Sequence, residues 1–292
     1  MDVITIEDLL DDYQKELKTK GKLQNTIDYY VRDIRMLLDD TRFNTTNEKD
    51  INDFSDLVSV LDTKFSSMHE QNEFSKNTIS RKASSINNFF RYLREHGLVK
   101  ITPQYSTPRD LNLTPPINQE QFLDLMDCIP HDNVRNSKHR AIIILAYSTG
   151  VTSEEIVRLS HSDFIRSKDE IIYLKLNTNR KSGRILEVDE QTNKELINYE
   201  RLSSQDSVSL DSVSNYFINQ HSKPLSSRWV RKMFGRWAKI AELGEELNFN
   251  SLRVAYARRL LDMKDISLNE IAYKMGIKLP HAKKLADYYA RD

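Results

Sequence analysis

The amino-acid sequence predicts a mainly α-helical protein of two domains, with a small β-hairpin or sheet in the second domain. Apolar residues recur at helical spacing along most of the chain, and two short β-type runs flank a polar turn in its second half. Four prolines interrupt the periodicity between residues 101 and 118. At 292 residues the chain also exceeds the usual size of one domain. We therefore predict a helical domain at residues 1–100, a linker at 101–117 and a mixed domain at 118–292.

Four helices are expected in the first domain. Thr5 and Asp8 have the spacing of a capping box and should begin the first helix. The second helix starts near Asn25, a weaker third one covers about 53–65, and the fourth runs over about 77–95. Gly97 should end the fourth helix, because glycine adopts the left-handed conformation found at helix ends.

The second domain should contain helices around a basic hairpin. Gly150 is expected to break the apolar helix at 138–148, and Ser153 to cap a short helix after it. The strands at 171–176 and 185–188 flank a turn at 177–183, and the Ser- and Asp-rich stretch 203–214 is predicted to be a loop. The other predicted helices lie at about 118–126, 226–241, 251–261 and 267–276, with a last one ending near Tyr289.

Composition narrows the class of protein. The longest apolar run, residues 141–147, is too short to cross a bilayer, and the N-terminus lacks the pattern of a signal peptide. Cys128 is the single cysteine, which excludes an internal disulfide and is typical of a small buried side chain in a reducing compartment. We expect a cytoplasmic protein with no membrane, metal or cofactor requirement.

The formal net charge is zero, but acidic residues are absent from four stretches that carry several lysines and arginines. One such stretch is more often a solvated face, whereas four of them favour a positive surface for nucleic acid. The acid-free stretches are Phe74–Arg94, Ile171–Arg184, Ser212–Ala241 and Leu247–Leu261.

Two predicted helices present basic faces. The fourth helix has a polar face without acids, which suits a helix in the major groove of DNA. In helix 226–241, Trp229, Met233 and Trp237 form the core side, so the arginines and lysines point outward. The expected contacts to double-stranded DNA are Asn25, Lys76, Asn77, Arg81, Ser84, Asn88, Arg91, Arg180, Lys181, Arg184, Arg228, Arg231, Lys232 and Arg253.

Five segments carry a resemblance to a known family. They read LQNTIDYYVRDIR at 23–35, KNTISRKASSINNFFRYLREHGLV at 76–99, AIIILAYSTGVTSEEIVRLSHSDF at 141–164, SLRVAYARRLL at 251–261 and IAYKMGIKLPHAKKLADYYARD at 271–292. In this order they resemble the tyrosine recombinase (phage integrase) family over nearly the whole chain. The resemblance implies a helical, SAM-like core-binding domain followed by a recombinase catalytic-like domain.

The family's chemistry transfers a phosphoryl group to a tyrosine. Two arginines hold the scissile phosphate, histidines and a hairpin lysine move protons, and the tyrosine attacks. By resemblance, Lys181 matches the lysine, Arg253 matches the second arginine, and Tyr288 or Tyr289 matches the nucleophile. The first arginine and three histidines are replaced by Thr152, Asn250, Val254 and Ile277.

These replacements predict a loss of cleavage. Losing an arginine at a transferring phosphoryl group costs roughly 10³–10⁵ in rate, and losing one donor to an oxyanion costs roughly 10²–10³. Lys181 and Arg253 are then expected to bind phosphate without chemistry, and Tyr288 and Tyr289 to serve in packing. His281 on the last helix is expected to be solvated beside Lys283 and Lys284.

The resulting hypothesis is a sequence-specific DNA-binding repressor or regulator of a prophage or mobile element, similar to the recombinase-like repressors of SPβ-type prophages. One alternative is a divergent active recombinase that uses Tyr288 or Tyr289, with His281 in a vacated position. Another is an accessory protein of an active recombinase. We expect a monomer or weak oligomer, because only residues 290–292 follow the last tyrosine, with a regulatory protein or peptide as a further candidate partner.

Overall fold

The computed structural model describes residues 5–39, 41, 43, 51, 53–70, 74–107, 114–168, 170–178, 181–205 and 215–289. The chain divides into two compact units, Met1–Asn112 and Leu113–Asp292. Both are mainly helical, and the second contains a small antiparallel sheet, which confirms the predicted fold class. Arg180, most of the predicted 203–214 loop, part of the predicted linker and the last three residues lie outside the described residues.

The first unit is a helical bundle of α1 (Ile6–Thr19), α2 (Gln24–Leu38), α3 (Phe54–Glu70) and α4 (Lys76–Glu95). Thr5 and Asp8 form the predicted capping box. Gly97 has a φ of 69° just after α4, as expected for a glycine at a helix end. The apolar faces of the helices meet in one core, in which Phe89 and Phe90 of α4 are fully buried.

Helices α2 and α4 are joined by a buried acid, Asp33. Its carboxylate accepts hydrogen bonds from Ser85 Oγ at 2.7 Å and from the guanidinium of Arg81, and it lies 3.8 Å from Lys82 Nζ. Burial lowers the pKa of Lys82, although the charge of Asp33 opposes that shift. Two bases of the first acid-free stretch are therefore balanced by an acid on a neighbouring helix.

The second unit is built around α6, whose middle turns are buried on every side. The sheet of this unit has the strand order β1-β2-β3, and both strand pairs are antiparallel. The elements in chain order are α5 (Gln119–Asp127), α6 (Val134–Thr149), α7 (Ser153–Ile156), β1 (Phe164–Ser167), β2 (Glu170–Thr178), β3 (Lys181–Glu187), α8 (Glu190–Gln205), α9 (Ser227–Ile240), α10 (Phe249–Asp262), α11 (Leu268–Met275) and α12 (Leu279–Tyr289).

Several boundaries differ from the prediction. Helix α6 begins one turn earlier because Asn133 caps it, and Thr152 rather than Ser153 caps α7. Strands β2 and β3 extend into the predicted turn at 177–183. Strand β1 and helix α8 were not predicted, and α8 takes in the start of the predicted 203–214 loop. Its sequence is mostly polar, so the few core residues of α8 gave little periodicity to read.

A buried ion pair fixes α8 against α6. Arg140 donates to a carboxylate oxygen of Glu195 from Nη2 at 2.8 Å and from Nε at 2.9 Å. The same guanidinium donates to the carbonyl oxygen of Ile129 at 2.8 Å, which holds the end of α5. None of the described helices combines the length and the apolar character that crossing a membrane requires.

Candidate nucleic-acid interface

Arg253 of α10 is held between two chain segments. Its half-buried guanidinium donates to the carbonyl oxygens of Gly150, at the end of α6, and Met275, at the end of α11. Burial lowers the pKa of Arg253 to about 10, while the nearby charge of Glu155 opposes that shift. The side chain therefore stays cationic at neutral pH and fixed in orientation.

Glu155 binds a second arginine with both of its oxygens. Arg184 of β3 donates from Nη1 to Oε1 at 2.7 Å and from Nη2 to Oε2 at 3.1 Å. Thr152 donates to Oε2 from its backbone N–H at 2.8 Å and from its hydroxyl at 3.0 Å. Burial alone would raise the pKa of Glu155, but Arg184 and the Thr152 N–H outweigh it and hold the pKa below its usual value.

The placement of Arg184 contradicts its prediction as a DNA contact. Only 2% of the residue is exposed, and its guanidinium is occupied by Glu155. Arg184 is one of the bases of the acid-free stretch 171–184, but its compensating acid comes from α7. Its contribution is structural, because it fixes the hairpin strand β3 to the capping box of α7.

The four positions that the resemblance predicts to be substituted are placed as follows. Thr152 caps α7, and Asn250 is exposed in the first turn of α10. Val254 is buried and Ile277 is half-buried in the wall of a cleft of about 470 Å³ that Arg253 also lines. Of the described residues, His281 supplies the sole imidazole in that wall. It is exposed, as are Lys283 and Lys284.

Arg253 also lines a second cleft, of about 350 Å³. Thr152, Asn250, Arg253 and Arg231 of α9 all contribute to its lining. Glu154 lies in the same lining and reaches the guanidinium of Arg231 at 3.5 Å, with both side chains more than half exposed. The cleft thus joins two arginines to a helix N-terminus that also carries an acid.

The two terminal tyrosines differ in their surroundings. Tyr289 is buried, and the guanidinium carbon of Arg258 lies 5.0 Å from the centre of its ring. Tyr288 is 36% exposed, with its ring centre 5.1 Å from that of Tyr289. The predicted packing role thus fits the buried Tyr289 better than the partly exposed Tyr288.

The predicted contacts on α9 and in the hairpin are placed as follows. Arg228, Arg231 and Lys232 are exposed on α9, opposite the buried Met233 and Trp237. Lys181 begins β3 and pairs with Thr178 in the ladder. The side chain of Lys181 and the whole of Arg180 lie outside the described part of the structure.

In the first unit, the predicted face of α4 divides into two groups. Lys76, Asn77 and Arg91 are exposed, as is Asn25 at the start of α2. Three residues of the other group are half-buried and make contacts within the unit: Arg81 pairs with Asp33, Ser84 donates to the Ser80 carbonyl at 3.0 Å, and Asn88 accepts from the Tyr13 hydroxyl at 3.0 Å.

Sequence reasoning missed an exposed aromatic residue beside this face. Tyr29 of α2 is 47% exposed, and the guanidinium carbons of Arg32 and Arg81 lie 4.7 Å and 5.4 Å from its ring centre. Its position outside the apolar stripe of α2, three residues before an arginine, was the available signal. Across the described parts of both units, no cluster of three or more metal-ligating side chains occurs.

A sequence profile described as the phage integrase family matches residues 116–278. The chain belongs to the phage integrase family. Among curated relatives, this integrase-family chain is 28% identical to tyrosine recombinase XerC of Thermodesulfovibrio yellowstonii over 209 residues, covering 69% of the chain and 68% of the relative. It is 25% identical to XerC of Pseudomonas syringae pv. tomato over 264 residues, covering 88% and 83%.

Solved structures agree on the fold. A lambda integrase dimer bound to a COC' core site superposes with a TM-score of 0.69 at 17% identity, covering 99% of this chain and 79% of that one. The Tn1549 transposon integrase in complex with transposon right end DNA gives 0.70 at 17% identity, covering 95% and 94%. The fold of this integrase-family chain is thus that of tyrosine recombinases in both units.

Proposed function

We propose that this integrase-family chain is a sequence-specific binder of double-stranded DNA that has lost strand cleavage, and that it acts as a repressor or regulator of a prophage or mobile element. One observation carries the proposal. The cleft lined by Arg231 and Arg253 offers two cations for a phosphate, and its lining also includes Thr152 and Asn250, which the resemblance matches to an arginine and a histidine needed for phosphoryl transfer.

Several surfaces support a duplex as the ligand. Arg228, Arg231 and Lys232 are exposed along one face of α9, and Lys76, Asn77 and Arg91 are exposed on α4. Cations of this kind supply most of the affinity for DNA, through contacts to phosphates that release bound counterions. DNA-bound complexes among the structural neighbours make the same ligand a reasonable expectation for this chain.

The contacts of the predicted substituted positions support a loss of cleavage. Thr152 is committed to the cap of α7, and Val254 and Ile277 line an apolar wall. No described side chain other than His281 brings an imidazole to Arg253. General acid–base catalysis contributes roughly 10²–10⁴ in rate, so replacing the three histidines that the resemblance implies, with His281 alone in compensation, should slow cleavage far more than it weakens binding.

Changing the charges of the Arg253 cleft tests the DNA-binding part. With a labelled duplex of mixed sequence at low salt, Arg231→Gln should weaken binding and reduce the slope of log K against log salt by about one. Glu154→Gln should strengthen binding several-fold, because it removes a negative charge from the proposed phosphate site. Lys194→Gln, an exposed lysine of α8, is the matched control and should change neither value.

Two results would contradict the proposal. If the unaltered protein binds no duplex at low salt, the accessory-protein alternative is favoured instead. If selection from a pool of random duplexes enriches no common sequence, the protein binds DNA without the proposed specificity.

A divergent active recombinase is the second candidate, and one observation favours it. His281 lines the same cleft as Arg253, and Tyr288, on the same helix, is partly exposed. In that candidate His281 would move the proton and Tyr288 would attack. The two candidates differ in whether a covalent protein–DNA adduct forms.

A further inference from the structure

A cavity of about 460 Å³ lies in the second unit, apart from the residues around Arg253. The first turns of α6, the C-terminal part of α8, the segment 218–221 and Trp229 of α9 form its walls. Its volume is within the range of pockets that hold small ligands, roughly 300–1,000 Å³.

Lys138 places a buried ammonium group in this cavity. The residue is 8% exposed, and its Nζ donates to the carbonyl oxygen of Ile218 at 2.6 Å. Arg135, one turn earlier on α6, is exposed and also lines the cavity. Within the described part of the chain, neither side chain forms an ion pair with an acid.

This arrangement sets Lys138 apart from the other buried lysines and arginines that the structure describes. Lys82, Arg140 and Arg184 lie within 4.0 Å of the carboxylates of Asp33, Glu195 and Glu155 respectively. A buried charge is costly unless it is paired, so each of these acids offsets a base. Lys138 has only a carbonyl oxygen and the ring of Trp229, whose centre is 5.8 Å from Nζ.

The charges around Lys138 favour an anion in the cavity. Burial, reinforced by the charge of Arg135, lowers the pKa of Lys138 to about 8. At pH 7 the amine is therefore still mostly protonated. His139 adds no charge of its own, because burial and the nearby cations lower its pKa to about 3.

The remaining walls indicate the rest of the ligand. The half-buried Trp229 and the buried Tyr199 present aromatic surface, and Val134 and Ile218 present aliphatic surface. Ser203 and Asn219 add polar groups. A duplex phosphate is a poor candidate, because DNA meets side chains at the protein surface and Lys138 is nearly enclosed.

We propose that this cavity is a binding site for a small organic anion that carries a flat ring, with its charge on Lys138 and Arg135 and its ring against Trp229. The site does not depend on DNA binding. An absence of DNA binding and an absence of ligand binding would therefore be separate results.

A matched pair of dyes tests the site on the full chain. The probe is 8-anilinonaphthalene-1-sulfonate, an aromatic anion, and its control is N-phenyl-1-naphthylamine, which has the same rings without the sulfonate. Fluorescence titration at pH 7 should give saturable binding of the anion. Lys138→Met should weaken that binding about tenfold or more, the effect of losing a hydrogen bond to a charged group. It should leave the neutral dye within about threefold, and Lys239→Met on the exposed face of α9 should change neither.

Two further measurements keep the test decisive if Lys138→Met does not fold. Arg135→Gln, at an exposed position, should weaken the anion and not the neutral dye. For the unaltered protein, affinity for the anion should fall as the pH rises from 7 to 9, because Lys138 loses its proton while the sulfonate stays charged. The proposal is overturned if the anion does not bind saturably, or if its affinity does not change with Lys138→Met, Arg135→Gln or pH. It is also overturned if a mixed-sequence duplex displaces the anion over the same range of duplex concentration in which the duplex binds.

Discussion

At the scale of single residues, Glu155 connects strand β3 to the N-terminus of α7. Its two carboxylate oxygens accept hydrogen bonds from Arg184 at 2.7 and 3.1 Å, and Oε2 also accepts from the backbone N–H and the hydroxyl of Thr152. The capping box and the ion pair therefore share one carboxylate. Thr152 takes part because its side chain is short, and an arginine at this position could not form the same cap.

Neutralising Glu155 should destabilise the second unit. Glu155→Gln leaves the guanidinium of Arg184 buried without a counter-charge, which costs about 3–5 kcal/mol of unfolding free energy. Urea denaturation at pH 7 measures this loss. Glu154→Gln, at an exposed neighbouring position, is the control and should change stability by less than about 0.5 kcal/mol.

The same variant has a predictable pH dependence. The folded-state pKa of Glu155 lies below its ordinary value, so the stability that the carboxylate provides is complete above that ordinary value. It is lost as the pH falls through the lowered folded-state pKa. The difference between the unaltered protein and Glu155→Gln should therefore shrink in acid. An unchanged difference down to pH 3 would contradict this role.

At the scale of elements, helix α11 ends at a glycine, Gly276, that lies against the buried side chain of Arg184. Gly276 has a φ of 58° at the C-terminus of α11. A Cβ atom at this position would lie 2.4 Å from Nη1 of Arg184. The glycine thus permits both the left-handed helix end and the close approach of β3.

A pair of glycine substitutions separates these two effects. Gly97→Ala has the same backbone strain, with a φ of 69°, but its Cβ would meet nothing within 4 Å. It should lower the stability of the first unit by about 1 kcal/mol, the cost of a left-handed non-glycine residue. Gly276→Ala should cost the second unit clearly more, because Arg184 must also move. Equal losses in urea denaturation would show that the contact with Arg184 is unimportant.

The elements also show where sequence patterns were informative. Strong apolar periodicity located α4, α9 and α11 to within a residue or two, because each has one buried face, and the capping box located the start of α1. Helix α8 and strand β1 are short of core residues and were missed. In α4, the periodicity identified the polar face but not the partners of Arg81, Ser84 and Asn88, which come from other turns and helices.

At the scale of the whole molecule, charge along the sequence overstates charge at the surface. Lys82 and Arg184 belong to acid-free stretches, yet Asp33 and Glu155 reach them from elsewhere in the fold. Lys138 shows the opposite case, a buried base for which the described residues offer no acid. Neither could be seen in the sequence, because the pairing of distant residues depends on packing. The family motifs led to the predictions for Arg253 and for the substituted positions, because those predictions depend on local sequence alone.

The central claim is that the chain binds DNA without cleaving it, and covalent trapping tests it most directly. Duplexes selected by the protein would be nicked within the bound segment, incubated with it and separated under denaturing conditions, with an active tyrosine recombinase on its own nicked site as the positive control. We predict no denaturation-resistant protein–DNA adduct for the unaltered protein or for the Tyr288→Phe, Tyr289→Phe double variant. An adduct that forms with the unaltered protein and disappears in the double variant would contradict the claim and identify an active recombinase.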